Sequence, residues 1–405
     1  MKIYDKAERL NDVSYAIRGP VMQEAQRMMA SGIDVLRLNI GNPAVYGFRA
    51  PKAVSDVFAA CVADTQGYSE SKGLLTARNA ILRYCRKKNI PCASADDIYT
   101  GNGVSELILT TMQALINDGD EILVPCPNYP LWTSAVVMNG GKAVNYICDE
   151  SSEWYPDIED MRRKITPKTK GILVINPNNP TGALYPREIL EKIADLAREH
   201  SLILFADEIY DRTVMDGHEH VSLASLAPDL LTLSYNGLSK SHFACGLRSG
   251  WMCICGNKEG AEGFLSGINL LVSTRLCSNV PGQAIIPAAM DECLDDIKEH
   301  ILPGGRLYEQ REAVCKGLAD IPGVSVVKPK GALYVFPKVD IKRFGFESDE
   351  QFAFELLREK HIIVTHGSGF NMPTSDHFRI AYLPHAEVLT DACRRIGEFL
   401  GDRAK

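Results

Sequence analysis

The chain is predicted to be an α/β protein, with a large domain built on a mainly parallel sheet covered by helices and a smaller α+β domain. Three observations carry that expectation. Between about residues 51 and 290, amphipathic helical stretches (106–116, 186–200) alternate with apolar runs of strand length. Three of those runs, 171–175, 202–206 and 231–235, lead into polar residues suited to binding a ligand. After Pro303-Gly304-Gly305 the alternation gives way to one long helix, short strands near 324–327 and 332–336, and two further helices.

Taken in order, a polar, helix-compatible start runs to Gly32, and 35–40 reads as a short strand closed by Gly41-Asn42-Pro43. Strands follow at 121–124, at the three runs above and at 251–254. Alternation with helices implies parallel strands covered on both faces. The large domain is therefore placed at 51–290, and residues 1–50 and 291–405 form the N-terminal segment and small domain. In open α/β sheets, ligands sit beyond the carboxyl ends of the strands. Three loops would then face one pocket: Asn176 to Gly182, Asp207 to Asp211, and Asn236-Gly237-Leu238-Ser239-Lys240.

Composition narrows the choices. A chain of 405 residues can bury a large core, and its net charge of −7 argues against a nucleic-acid partner, which depends on a basic face. Any phosphate site must be local. No apolar stretch reaches the roughly 20 residues that cross a bilayer, and the first residues lack the apolar segment of a signal peptide. A cytoplasmic protein with no membrane association is expected. The twelve cysteines are scattered, and the closest pair, Cys253 and Cys255, is a C-x-C on a strand-like run rather than a C-x-x-C ligand pair. Buried free thiols are expected. His218 and His220 form an H-x-H without a further clear ligand, so no metal is expected there.

The three loops and their neighbours hold what amine-transfer chemistry requires. Lys240 can form a Schiff base with an aldehyde cofactor such as pyridoxal 5′-phosphate and, once freed, can shuttle a proton. A cofactor ring acts as an electron sink only if its nitrogen stays protonated, and Asp207, at a strand end, can hold that proton. Tyr210 and Asn179 can donate to the ring's phenolate oxygen. For the phosphate, Gly103, Val104 and Ser105 stand before a helix expected to begin at Glu106, where free amides and the helix dipole favour an anion. Arg248 can add a cation with bidentate geometry.

At these residues the chain resembles the class I/II, fold-type I aminotransferases that depend on pyridoxal phosphate, and most of the chain takes part in the match. The resemblance implies that Lys240 is the cofactor-bonding lysine and proton shuttle, that Asp207 pairs with the ring nitrogen, and that Asn179 and Tyr210 contact the phenolate oxygen. It further implies that Tyr129, in Pro127-Asn128-Tyr129-Pro130, stacks on the ring, and that Tyr68 reaches the phosphate of a neighbouring subunit. Arg379 would grip the substrate's α-carboxylate, with the backbone of Gly41 close by. A homodimer with shared sites follows. Many relatives carry a phosphate-binding serine three residues before the lysine; Gly237 stands there, and Ser239 is the nearest hydroxyl.

Within the family, the resemblance is to bacterial alanine (glutamate–pyruvate) aminotransferases, suggested by Tyr15-Ala16-Ile17-Arg18, Leu38-Asn39-Ile40-Gly41-Asn42-Pro43 and the run from Pro303 to Arg311. The expected substrates are amino acids and 2-oxo acids, moving an amino group between L-alanine/pyruvate and 2-oxoglutarate/L-glutamate by ping-pong kinetics. A second carboxylate buried without a partner would cost roughly 3–5 kcal/mol. Arg18 is the candidate partner, Arg275 another, and Tyr15 would border the small apolar space that alanine needs. Other amino donors or a C–S β-lyase are alternatives. A nucleotide-dependent oxidoreductase, prompted by Gly101-Asn102-Gly103, fails where Glu106 takes the place of the third glycine. A regulator using the cofactor as an effector would usually carry a helix-turn-helix, and none is read ahead of the catalytic region.

Overall fold

The expected α/β architecture is present. The computed structural model describes residues 4–13 and 19–404. After the short β1 (Leu36–Arg37) come β2 (Ile98–Asn102), β3 (Glu121–Cys126), β4 (Lys142–Asp149), β5 (Tyr155–Pro156), β6 (Thr169–Ile175), β7 (Ile203–Asp207), β8 (Thr232–Gly237) and β9 (Ser249–Cys255). These last eight form one sheet in the order β2-β9-β8-β7-β6-β3-β4-β5. Pairings from β8 through β4 are parallel, whereas β9 is antiparallel to both its neighbours and β5 to β4. Strands β3, β8 and β9 are buried at every position, as expected for strands covered on both faces.

Three strands of this sheet are not apparent from apolar runs. β2 reads Ile-Tyr-Thr-Gly-Asn and owes its place to the ladder with β9 rather than to its own apolarity. β4 has polar and half-exposed positions along its length, and β5 is a two-residue edge.

The helices used below are α1 (Pro20–Ala30), α2 (Lys52–Cys61), α3 (Leu75–Lys87), α4 (Val104–Leu115) and α5 (Pro130–Met138). Helix α4 begins two residues before the expected Glu106, because Gly103, at φ +78°, turns the chain directly from β2 into the helix. The first-turn amides are consequently those of Val104, Ser105 and Glu106.

The remaining strands are β10 (Val324–Ser325), β11 (Tyr334–Val335), β12 (Lys338–Val339), β13 (Ile362–Ile363), β14 (Thr365–His366) and β15 (Phe378–Ala381). β1 pairs in parallel with β13, and the apolar face of α1 (Val21, Ala25, Met28) shares one core with Leu307, Leu356 and Phe399. The expected strand at 35–40 is ladder-paired only at Leu36 and Arg37. Beyond them Leu38 bridges two strands, donating to Ile363 O (2.9 Å) and accepting from Ala381 N (2.7 Å). That bridge sets residues 39–41 beside β15. Among the described residues no helix is long and apolar enough to cross a membrane.

Candidate active site

Strands β6, β7 and β8 end in register, Ile175 opposite Asp207 and Asp207 opposite Tyr235. The loops that follow them therefore emerge at one level. They open onto a cavity of about 600 Å³ lined by Asn179, Asp207, Tyr210, Ser239, Lys240 and Arg248, with Val104, Ser105, Tyr129, Gly41 and Arg379 completing the wall. Lys240 sits in a single helical turn, Leu238–Ser241, directly after β8. Its Nζ donates to Gly41 O at 2.7 Å.

Asp207 is 4 % exposed at the floor. Its Oδ2 accepts from the indole N–H of Trp132 (2.8 Å) and its Oδ1 from the amide of Ile209 (3.4 Å). Burial pushes its carboxyl up to about 6, and these two hydrogen bonds only partly offset that. A cation brought against this carboxylate would relieve the cost of its charge, which is what a protonated ring nitrogen offers.

The anion end is built from α4 and Arg248. A Cβ on Gly103 would lie 2.3 Å from Arg248 Nη2, so the guanidinium occupies the room a side chain would take. Arg248 donates to Cys245 O (3.0 Å) and Asn102 O (3.2 Å), which aims it across the start of α4. Gly250 is equally constrained, since a Cβ there would meet Val104 N at 2.6 Å. Glu106 is turned away from the cavity: it accepts from Asn102 N (2.7 Å) and pairs with Arg275 (2.6 Å). Arg275, which also donates to Ser71 O, is thereby held outside the cavity lining of its own chain.

Gly237 has a structural reason. It lies opposite Gly250, and a Cβ would come within 2.7 Å of Ser249 O and 3.0 Å of Gly250 Cα. This backbone leaves no room for a serine at 237, whereas the serines Ser105 and Ser239 line the cavity.

The outer wall centres on Arg379 of β15. Its guanidinium lies over the rings of Tyr334 (4.2 Å) and Phe370 (4.6 Å), donates to Asn39 O (2.6 Å) and donates to Asn179 Oδ1 (2.9 Å). Because an arginine only donates, that contact fixes the Asn179 amide with its oxygen toward Arg379 and its NH2 as a donor for other groups. Tyr210 donates to Tyr334 Oη (2.9 Å). Burial pushes the Tyr210 hydroxyl well up. Burial acts on Tyr334 too, but the charges of Lys240 and Arg379 and the hydrogen bond from Tyr210 outweigh it and hold that phenol below its usual range. A Cβ on Gly41 would lie 2.0 Å from Tyr334 Oη, so glycine is required there.

Tyr68 does not line the cavity of its own chain and is 83 % exposed. Tyr15 and Arg18 lie outside the described residues. Three groups escaped the reading of the sequence: Tyr334 and Asn39, which line the cavity, and Trp132, which supports Asp207 from behind; the buried Oδ1 of Asn39 has no hydrogen-bond partner among the described residues. Trp132 lies in the first turn of α5, three residues after its N-cap Tyr129, and that nearness was the available signal. Nothing local marks Tyr334 or Asn39.

Residues 33–396 match the family Aminotransferase class I and II. The chain is 50 % identical over 402 residues to the glutamate-pyruvate aminotransferase AlaA of Haemophilus influenzae, covering 99 % of each. It is 49 % identical to the alanine aminotransferase of Mycobacterium tuberculosis, covering 98 % of this chain and 93 % of that one. A crystal structure of an aminotransferase from Escherichia coli superimposes with a TM-score of 0.98 at 49 % identity, over all of both chains. The alanine aminotransferase of Pyrococcus furiosus does so with a TM-score of 0.94 at 38 % identity, covering 98 % of this chain and 100 % of that one.

Proposed function

Since the chain belongs to the class I and II aminotransferases and has their fold-type I architecture, we propose that it moves an amino group between L-alanine/pyruvate and 2-oxoglutarate/L-glutamate. Pyridoxal 5′-phosphate is its cofactor and the working form is a cytoplasmic homodimer. One observation carries the cofactor reading: Lys240, Asp207, Arg248, the start of α4 and Arg379 converge on one cavity. The alanine and glutamate reading is supported by the names of the relatives at about 50 % identity.

When bound, the cofactor supplies an electrophilic aldehyde carbon and a ring that accepts an electron pair. Lys240 would hold that aldehyde carbon, Asp207 the ring nitrogen's proton, and Asn179 and Tyr210 the phenolate oxygen. Arg248, the amides of Val104 and Ser105 and the Ser105 and Ser239 hydroxyls would hold the phosphate, with Gly103 giving the guanidinium its room. Tyr129 would cover one ring face. Arg379 binds the α-carboxylate of the substrate as a bidentate donor, beside the backbone of Gly41. Lys240 Nζ, once released, removes and holds the Cα proton. Its hydrogen bond to Gly41 O fixes the amine between the floor and the outer wall.

Tyr68, exposed on its own chain, acts on the phosphate of the partner subunit. Arg18 neutralises the second carboxylate of glutamate, and Tyr15 borders the space for the alanine methyl. The large domain spans 51–290, and residues 1–50 with 291–405 form the smaller unit that brings Arg379 to the substrate. A panel of amino donors against pyruvate and 2-oxoglutarate tests the substrate reading. Alanine with 2-oxoglutarate should rank among the best pairs, and a place among the poorest would reject it.

A further inference from the structure

Folding gathers four cysteines that the sequence leaves scattered. Cys85 lies near the end of α3, Cys92 in the loop that follows, and Cys253 and Cys255 on β9. Side chains two apart on a strand share a face. Cys253 and Cys255 accordingly join Cys85 and Cys92 in one apolar cluster, while Met252 and Ile254 pack on the opposite side of the sheet.

The sulfurs of Cys85, Cys92 and Cys253 lie within 4.8 Å of one another, and Cys85 Sγ and Cys253 Sγ are 3.6 Å apart. Cys92 Sγ donates to Ser94 O at 3.5 Å, and Cys255 Sγ to Cys253 O at 3.5 Å. A tetrahedral ion with metal–sulfur bonds of about 2.3 Å separates its sulfurs by about 3.8 Å, so this cluster can close on an ion with shifts of about an ångström. Among the described residues no other group of three or more Cys, His, Asp or Glu converges in this way. All four sulfur-bearing residues are buried, with Cys92 the most accessible at 8 %. An ion would therefore enter at the 90–94 loop.

We propose that Cys85, Cys92 and Cys253 form a thiolate site for a soft closed-shell cation such as Zn²⁺, with Cys255, on the same face of β9 as Cys253, able to become a fourth ligand by a side-chain shift. Each thiol that binds gives its proton to solvent, and no electron is transferred. Soft sulfur ligands and a dry, apolar surround select against Mg²⁺ and Ca²⁺, which take oxygen donors. None of the four lines the catalytic cavity. The ion would clamp α3 to β9, the strand paired with β8 ahead of Lys240, and would act on stability rather than on chemistry.

The test uses the reduced, full-length holoenzyme carrying Cys61→Ser and Cys277→Ser, which removes two partly exposed thiols. After equilibration with Zn²⁺ or Cd²⁺ and gel filtration, elemental analysis should find one ion per chain. The cadmium NMR resonance should fall in the thiolate region, and the bound ion should raise the melting temperature. Cys92→Ser and Cys253→Ser should each weaken binding by at least about tenfold, the lower bound seen when even an outer partner of a metal ligand is removed. Retention of no ion by the parent, or retention by both variants undiminished from the parent, overturns the proposal. Should Cys253→Ser fail to fold, Cys92→Ser on the loop decides alone.

Discussion

The floor of the catalytic cavity and its outer wall are built in opposite ways. The floor comes from adjacent strands of one sheet, ending in register, with α4 and Trp132 packed behind them. The outer wall joins Asn39 and Gly41 to Tyr334 and Arg379, from opposite ends of the chain, and they meet because Leu38 bridges β13 and β15. Groups on a rigid, fully paired sheet keep fixed positions relative to one another, as shared chemistry demands. The composite wall is held by contacts between distant segments and meets the floor through the Lys240–Gly41, Tyr210–Tyr334 and Arg379–Asn179 hydrogen bonds.

Breaking the floor should have the largest effect. Lys240→Ala removes the amine that bonds the cofactor and moves the proton, so turnover should fall by roughly 10⁴-fold or more, along with the visible absorbance of the bound cofactor. Persistence of both would reject the assignment. Arg379→Ala removes the guanidinium of the outer wall and also leaves Asn179 Oδ1 without its donor. It should lower kcat/KM by roughly 10²- to 10³-fold through the lost partner of a buried carboxylate, while the cofactor stays bound with its visible absorbance. Loss of the cofactor from this variant would show that the two walls are not separable.

The floor should also report itself through pH. Burial raises the Asp207 carboxyl from 3.8 to about 6. Between those values the folded apoprotein holds a proton that the unfolded chain has released, so stability falls as pH rises through this window and levels off above about 6. The loss amounts to about 3 kcal/mol. Urea unfolding of the apoprotein against its Asp207→Asn variant should give a difference curve with that slope, and a flat difference would count against it. A smaller effect is expected from Gly237→Ser, which forces a side chain against Ser249 O and Gly250 Cα. It should destabilise by about 1–3 kcal/mol and leave phosphate affinity no better. Smallest is Gly103→Ala, where a positive φ disfavours a Cβ by about 1–2 kcal/mol. The displaced Arg248 should weaken cofactor binding by a comparable amount, measured by titration of the apoprotein.

Most of the floor was legible in the chain, because polar residues placed directly after buried apolar strands have few places to go except a cavity at the strand ends. The runs ending at Ile175, Ala206 and Tyr235 thus located Asn179, Asp207, Tyr210 and Lys240. The start of α4 was misjudged by two residues, since Gly103 can act as a cap or as a loop residue and only its φ distinguishes them. The strands β2 and β4 were missed because their pairing with neighbours, rather than their own apolarity, makes them strands. On the outer wall, Arg379 came from resemblance and Gly41 likewise. Tyr334, which explains why position 41 is a glycine, has no local signal at all.

By itself the sequence determined the α/β class, the helix and strand alternation and the side chains at the strand ends, because periodicity and turn chemistry are properties of neighbouring residues. Only the tertiary structure decided that Asn39 meets Arg379, that Gly237 must lack a side chain opposite Gly250, that Arg275 is spent on Glu106, and that Cys85 and Cys92 join the pair on β9. Each of these is a contact between positions far apart in the chain. Such contacts depend on how whole elements pack against one another, and no window along the sequence contains both partners.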